Sequence, residues 1–342
     1  MMRAPWFWRD DTLAARAVTL GFAPLSALYD AAQRARWRMT APKRAPVPVI
    51  CIGNATLGGV GKTPFAIALG ELLRGESGAI HFLTRGYGGA LGGPVKVDPS
   101  AHNFNDVGDE ALLLARHGPV WISKDRPAGA LAAAKDGAGL IIMDDGFQNP
   151  TIEKTVSILL IDASEDGGNG KIFPAGPFRE PLDRARARAD IVVYVGGDEE
   201  IASRAADENH SAFAAWPEPE NAPENVPVNT PAPTPETGRV VAFSGIGNPE
   251  KFYTSLKAAG FVITRTASFP DHHRFSDQDL AALARLAASE KAPLITTEKD
   301  YVRLPEDFRA DVLTFPIAMK INQPSLLAAT IRTTIDRQAA SD

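Results

Sequence analysis

Val49-Ile50-Cys51-Ile52-Gly53-Asn54-Ala55-Thr56-Leu57-Gly58-Gly59-Val60-Gly61-Lys62-Thr63 decides how the rest of the chain is read. An apolar run gives way to a turn of small residues. Gly61-Lys62-Thr63 then opens a second apolar run, Phe65-Ala66-Ile67-Ala68-Leu69. Strand, glycine-rich turn and helix in that order make a phosphate-binding loop. Small residues let backbone N–H groups turn inward around phosphate oxygens, and the helix adds the positive end of its dipole. Thr56, Leu57, Gly58, Gly59, Val60, Gly61, Lys62 and Thr63 are the expected cradle. Lys62 would reach the outer phosphates, and the Thr63 hydroxyl would ligate Mg²⁺. The usual pattern wants a glycine at the position held by Thr56, so Gly58 and Gly59 must supply the turn.

From Val47 onward short apolar runs alternate with helical stretches. Strands are expected at Val47–Ile52, Ile80–Thr84, Val120–Ser123, Leu140–Met143, Ser157–Ile161 and Ile191–Tyr194, with helices at Thr63–Arg74, Asp109–Arg116 and Ala128–Lys135. Such alternation predicts an α/β fold with a mostly parallel sheet covered on both faces. Its ligands bind beyond the carboxyl ends of the strands, so the phosphate loop marks the working edge. Residues 215–238 interrupt the rhythm with proline at a density that suits neither helix nor internal strand, and predict a linker or insert. After them the pattern restarts at Arg239–Phe243, Val262–Arg265, Leu294–Thr297 and Val312–Phe315, with a last helix from Pro324. The expected division is therefore an N-terminal helical region at 1–40, a phosphate-loop domain at 41–214, the proline-rich stretch, and a smaller α/β domain at 239–342.

Within 342 residues, 44% are hydrophobic and the net charge is -5, which fits a folded globular chain and not a disordered one. The lone Cys51 excludes an internal disulfide, and its place in the first strand suits core filling. No basic stripe with interleaved aromatics points to nucleic acid. Residues 1–44 nonetheless hold eight Lys and Arg against Asp10, Asp11 and Asp30, among them Arg34, Arg36 and Arg38. There Trp6, Phe7, Trp8, Leu13, Leu20, Phe22, Leu25 and Leu28 give an apolar run flanked by Trp and Arg. It suits a helix in a membrane interface, or equally an amphipathic helix packed on the domain.

Leu140-Ile141-Ile142-Met143-Asp144-Asp145-Gly146-Phe147-Gln148 puts two carboxylates at the end of a buried strand. In a phosphate-loop protein an acid there holds Mg²⁺, although Asp-Gly also favours a plain turn. Asp109 and Glu110 start a helix, which capping alone would explain. Asp271-His272-His273 could be a surface loop, yet a carboxylate–imidazole pair would take a proton from a hydroxyl better than either group alone. Spacing does not say whether Asp109 meets His272. Arg85, in Thr84-Arg85-Gly86-Tyr87-Gly88, and Arg179, in Ala175-Gly176-Pro177-Phe178-Arg179-Glu180, sit on small-residue turns. Each could face a phosphoryl group or pair with an acid such as Glu180.

Taken in order, these segments resemble the tetraacyldisaccharide 4'-kinase family, the lipid A 4'-kinases of Gram-negative bacteria. Phe243-Ser244-Gly245-Ile246-Gly247-Asn248-Pro249, Phe269-Pro270-Asp271-His272 and Thr296-Thr297-Glu298-Lys299-Asp300-Tyr301 extend the resemblance over nearly the whole chain. It implies ATP- and Mg²⁺-dependent phosphorylation of the 4'-hydroxyl of tetraacyldisaccharide 1-phosphate, giving lipid IVA. It also implies a peripheral protein on the cytoplasmic face of the inner membrane, its N-terminal helix at that surface. By position, Asp109 is the implied base in a dyad with His272, while His273 competes for that place. Lys62, Thr63, Asp144 and Asp145 would hold nucleotide and Mg²⁺, and Arg85, Glu110, Gln148, Arg179 and Glu180 would line the transfer site. Two rivals are a switch-type phosphate-loop NTPase acting on a membrane partner and a non-enzymatic membrane adaptor.

Overall fold

Val49–Asn54 (β1) is buried at every position, as expected of a strand with neighbours on both sides and helices on both faces. Ile50 and Ile52 each have zero exposure, a burial that stabilises the fold by roughly 1.5–3 kcal/mol per side chain. The computed structural model describes residues 5–75, 78–163, 167–197, 199–205, 210–219 and 238–340. Most of the expected proline-rich stretch, 220–237, and the first four residues of the expected N-terminal region lie outside the described residues.

The other strands are Ala79–Thr84 (β2), Val95–Lys96 (β3), Val120–Ile122 (β4), Ala138–Asp144 (β5), Val156–Asp162 (β6), Ile191–Val195 (β7), Ser211–Pro219 (β8), Arg239–Ser244 (β9), Val262–Ser268 (β10), Leu294–Thr297 (β11), Val312–Phe315 (β12) and Ile317–Ile321 (β13). They form two sheets. Nine strands run in the order β13-β8-β7-β6-β1-β5-β2-β4-β3, and four in the order β10-β9-β11-β12. Only β3 and β13 run antiparallel to their neighbours. One face of the large sheet packs with the helix Lys62–Leu72 and the terminal helix Pro324–Ala340, the other with Arg126–Lys135. The helices Pro249–Ala258 and Asp277–Glu290 cover the two faces of the small sheet.

Two expectations are corrected. Residues 215–219 do not belong to a linker: they complete β8, an internal strand between β7 and β13. Pro217 is tolerated because β7 has already ended. Its last pair is Val195 with Ala215, so beyond that point β8 faces only β13. Nor is 239–342 one continuous unit. After β12 the chain returns to the large sheet, where β13 pairs with β8 and Leu327, Ala328 and Ile331 enter the large-sheet core.

The helix Leu13–Met39 starts at Thr12, whose side chain accepts the Ala15 N–H. Its buried residues are Ala15, Ser26 and Asp30, while Leu13, Leu20, Leu25, Leu28 and Met39 are all more than half exposed. Polar contacts tie it down alongside the packing of Ala15, Val18 and Phe22 on Phe7 and Trp8. Ser26 Oγ donates to Ile172 O and accepts Ala175 N–H, and Asp30 pairs with Arg184. Among the described residues no helix is long and apolar enough to cross a membrane.

Candidate active site

The loop after β1 and the turn after β5 meet because those strands are neighbours, with Ile52 paired to Asp144. Gly53 allows the approach: a Cβ there would lie 2.4 Å from Phe147 Cβ. Gly61 caps the following helix at φ 87°, a left-handed conformation that favours glycine. The N–H groups from Gly58 to Gly61 make no hydrogen bond to described residues, and a Cβ on Gly58 or Gly59 would meet nothing within 4 Å. The loop thus presents free donors to open space, as a phosphate cradle must. Thr56 bridges to Phe178, and Leu57 N–H donates to Pro177 O, so that side of the loop is braced and the turn falls on the glycines.

Thr63 Oγ1 donates to Asp144 Oδ2 at 2.8 Å, joining helix start to strand end. Asp144 is fully buried, and burial, with Glu110 and Asp145 nearby, pushes its carboxyl up to about 7. Its Oδ1 has no hydrogen-bond partner among the described residues. A buried, unpartnered carboxylate oxygen beside a threonine hydroxyl fits a divalent cation. Asp145, at φ 50°, faces the cations instead, 2.9 Å from Arg179 and 3.6 Å from Lys62. Burial raises its carboxyl, but Lys62 and Arg179 outweigh that and hold it below the ordinary range. Lys62 also donates to Asn54 Oδ1 at 3.2 Å.

The raised Asp144 carboxyl has a consequence for stability. The folded protein keeps its proton up to about pH 7, whereas the unfolded chain releases it near 3.8. The penalty of ionising it in place is thus absent below 3.8 and complete above 7. Asp144→Asn is expected to raise the melting temperature of the metal-free protein by roughly 2–5 °C at pH 8 and by much less at pH 5. Scanning calorimetry at the two pH values tests this, and an equal gain at both would contradict it.

Gln148 and Glu180 form the wall beyond Asp145. Gln148 Nε2 donates to Asn54 O and Glu180 Oε1, and Gln148 Oε1 accepts from Arg179 at 3.3 Å. Glu180 is held by both terminal nitrogens of Arg188 at 2.7 Å, and Arg188 lies 4.7 Å over Trp37 near the end of the N-terminal helix. Arg179 Nε is buried without a partner. Arg85 is exposed and makes no hydrogen bond or ion pair with described residues. Arg126, which the sequence reading passed over, is 2% exposed and donates to Ser123 O. Burial lowers its affinity for its proton, offset by the charge of Asp145. Cys51 is fully buried, its thiol pushed up to about 11, which suits core filling.

A second cluster spans the two sheets. Asp109 begins the helix Asp109–Ala115 on the large sheet, and His272 follows β10 of the small one. His272 Nδ1 lies 2.9 Å from Asp109 Oδ2. Arg303 Nε lies 3.2 Å from the same oxygen, while Asp109 Oδ1 accepts the Glu110 N–H. Burial pushes the Asp109 carboxyl up, but His272, Lys299 and Arg303 outweigh it and hold it below the usual range. Glu110 lies 3.4 Å from Lys299 Nζ. His273 turns away, stacks on Phe269 and pairs with Asp279 in the cap of the next helix. Arg303 and Lys299 were not assigned roles from sequence; Lys299 stood inside a quoted motif, whereas nothing about Arg303 marked it. Among the described residues no hydrogen bond or ion pair joins this cluster to Lys62 or Asp144, although the charge of Glu110 helps raise the Asp144 carboxyl.

A phosphate loop, a strand-end acid on the adjacent strand and arginines around the opening define a phosphate-loop phosphotransferase fold. The model of the family described as Tetraacyldisaccharide-1-P 4'-kinase matches residues 18–336. A tetraacyldisaccharide 4'-kinase of Paramagnetospirillum magneticum is 47% identical over 329 residues, 95% of this chain and 97% of that protein. One from Methylobacterium nodulans is 47% identical over 336 residues, covering 97% and 95%. The solved structure of the apo form of LpxK from Aquifex aeolicus in complex with ATP is 28% identical with a TM-score of 0.76, covering 93% of this chain and 99% of that one. The chain belongs to the tetraacyldisaccharide 4'-kinase family.

Proposed function

We propose that the protein transfers the γ-phosphoryl group of ATP to the 4'-hydroxyl of tetraacyldisaccharide 1-phosphate, forming lipid IVA and ADP. The observation that carries the reading is the pairing of Asp109 with His272 from the other sheet, in a chain whose phosphate loop opens free donors beside Lys62. The acceptor oxygen attacks Pγ, the bond from Pγ to the β-phosphate bridging oxygen breaks, and ADP leaves. Asp109 takes the hydroxyl proton through Oδ1, while His272 holds Oδ2 and orients the carboxylate. The loop amides and Lys62 position the phosphates, and Arg179 and Arg85 offset charge on the moving group. Mg²⁺, held by Thr63 and Asp144, would neutralise phosphate charge when bound. The parts of the chain carrying the two sheets act as the two halves of the cleft.

Labelled γ-phosphate transfer to tetraacyldisaccharide 1-phosphate in detergent micelles, with an acceptor-free control, tests the reaction. Labelled lipid supports it; ATP loss without labelled lipid would instead indicate a switch-type NTPase.

The acceptor carries acyl chains, so the enzyme must work at a surface. The N-terminal helix packs Ala15, Val18 and Phe22 against Phe7 and Trp8 but exposes Leu13, Leu20, Leu25 and Leu28 on another face. We place it as a peripheral anchor on the cytoplasmic face of the inner membrane, with Arg34, Arg36 and Arg38 toward the headgroups. The double variant Leu20→Glu, Leu28→Glu is expected to lower vesicle binding by about tenfold or more while leaving the fold intact, since each leucine contributes roughly 1.5–3 kcal/mol when buried. Flotation with anionic vesicles reads this out, and unchanged binding would refute the anchor.

A further inference from the structure

We propose that Lys299 is a positioning residue for phosphoryl transfer, fixing the tautomer of His272 beside Asp109. The inference rests on reading Asp109 and His272 as the proton-accepting pair.

Each neighbour of the ring nitrogens can either donate or accept, but not both. Asp109 is a buried carboxylate and can only accept a hydrogen bond; it meets Nδ1 at 2.9 Å. Lys299 is an ammonium with no lone pair and can only donate; its Nζ lies 3.4 Å from Nε2. An imidazole between an obligate acceptor and an obligate donor has one neutral arrangement, with the hydrogen on Nδ1 and the lone pair on Nε2. A second proton would set an N–H against the ammonium. Lys299 keeps its charge because Glu110, Asp109 and Asp271 surround it and outweigh the effect of burial. The remaining groups around the ring are Arg303, shared through Asp109, the edge-on ring of Tyr87, and Asp271, which at 3.9 Å from Nε2 is too far to compete as a hydrogen-bond acceptor.

The local chain makes this placement rigid. Thr297 Oγ1 accepts the Asp300 N–H at the start of the short helix Glu298–Tyr301. Arg303 Nε donates to Lys299 O, and its terminal nitrogens donate to Gly245 O, which also accepts the His272 N–H. Glu298 meets Arg116 at 3.2 Å across the same interface. Lys299 therefore approaches His272 from a braced backbone. With Nδ1–H committed to Asp109 Oδ2, and the Glu110 N–H on Oδ1, the carboxylate is held in one orientation. A cationic ring would hold the carboxylate more tightly and weaken it as a base.

The test begins with the full chain in micelles, labelled with ¹⁵N-histidine, with His272 assigned by its loss in His272→Gln. The wild-type ring is expected to be the neutral Nδ1–H tautomer at neutral pH; an Nε2–H ring overturns the proposal outright. In Lys299→Met, signals of the other tautomer appear. In that variant kcat at pH 7 falls roughly tenfold, part of the 10²–10⁴ that a positioned proton acceptor supplies. Lys299→Arg, which keeps charge and donors, restores most of it, and Glu298→Gln, which weakens the neighbouring bridge to Arg116, stays within about twofold of wild type. Unmoved His272 signals in Lys299→Met would overturn the proposal even if kcat fell. Full activity in His272→Gln would instead remove the pair itself.

Discussion

Lys62→Ala is expected to lower kcat/KM by about 10³-fold or more, a loss of roughly 4 kcal/mol of transition-state stabilisation. Lys62 stands at the first position of its helix, with its ammonium 3.2 Å from Asn54 and 3.6 Å from Asp145. Those partners hold the charge beside the loop, ready to be exchanged for phosphate oxygens. Truncation removes the cation that follows the transferring group and leaves Asp145 with Arg179 as its remaining ion-pair partner. Isothermal titration with ATP and the labelled-transfer assay together check this. A variant that turns over within tenfold of wild type would show that the loop amides alone suffice. Thermal unfolding serves as the control, since Lys62 lies at the edge of the core and its loss creates no internal cavity.

Asp109→Ala is expected to lower kcat by about 10²–10⁴-fold while the ATP dissociation constant stays within about threefold. Retained binding is expected because Asp109 makes no contact with the phosphate loop: its partners are His272, Arg303 and the Glu110 N–H. The alanine variant also removes one of the two carboxylates that face the buried Arg303, leaving Asp300. Asp109→Asn is the companion that keeps the shape, and it is expected to lose comparable activity with a smaller stability change. Transfer kinetics with saturating ATP read both. Near-normal turnover in either variant would take Asp109 out of the proton-accepting role.

Much of the phosphate-loop half was legible because its determinants are local. A strand, a turn that must contain glycine and a helix start with Lys-Thr lie within a single stretch, and each step follows from backbone sterics and dipoles. The strand ending in Asp144 was readable for the same reason, since an apolar run leads straight into two acids beside the phosphate loop. The proline-rich segment was misread at its start because a sequence does not reveal that β7 stops at Val195, so the missing donor of Pro217 costs no bond to that strand. The return of β13 to the large sheet was equally hidden, because Ile317–Ile321 carries an ordinary strand pattern with no mark of which sheet it joins.

The N-terminal helix was left between two readings, docked or interfacial. The structure docks the helix on the protein through Ser26, Asp30, Val18 and Phe22 while leaving several leucines exposed. By itself, then, the amino-acid sequence determined the α/β class, the phosphate loop, the strand-end acids and, through ordered motifs, the family. Only the tertiary structure decided that Asp109 meets His272 and not His273, although 163 residues separate the pair. It alone brought Arg303 and Lys299 to the same point. The reason is physical: backbone chemistry acts between neighbours in sequence, whereas a charge network across two sheets exists only after both have folded and packed.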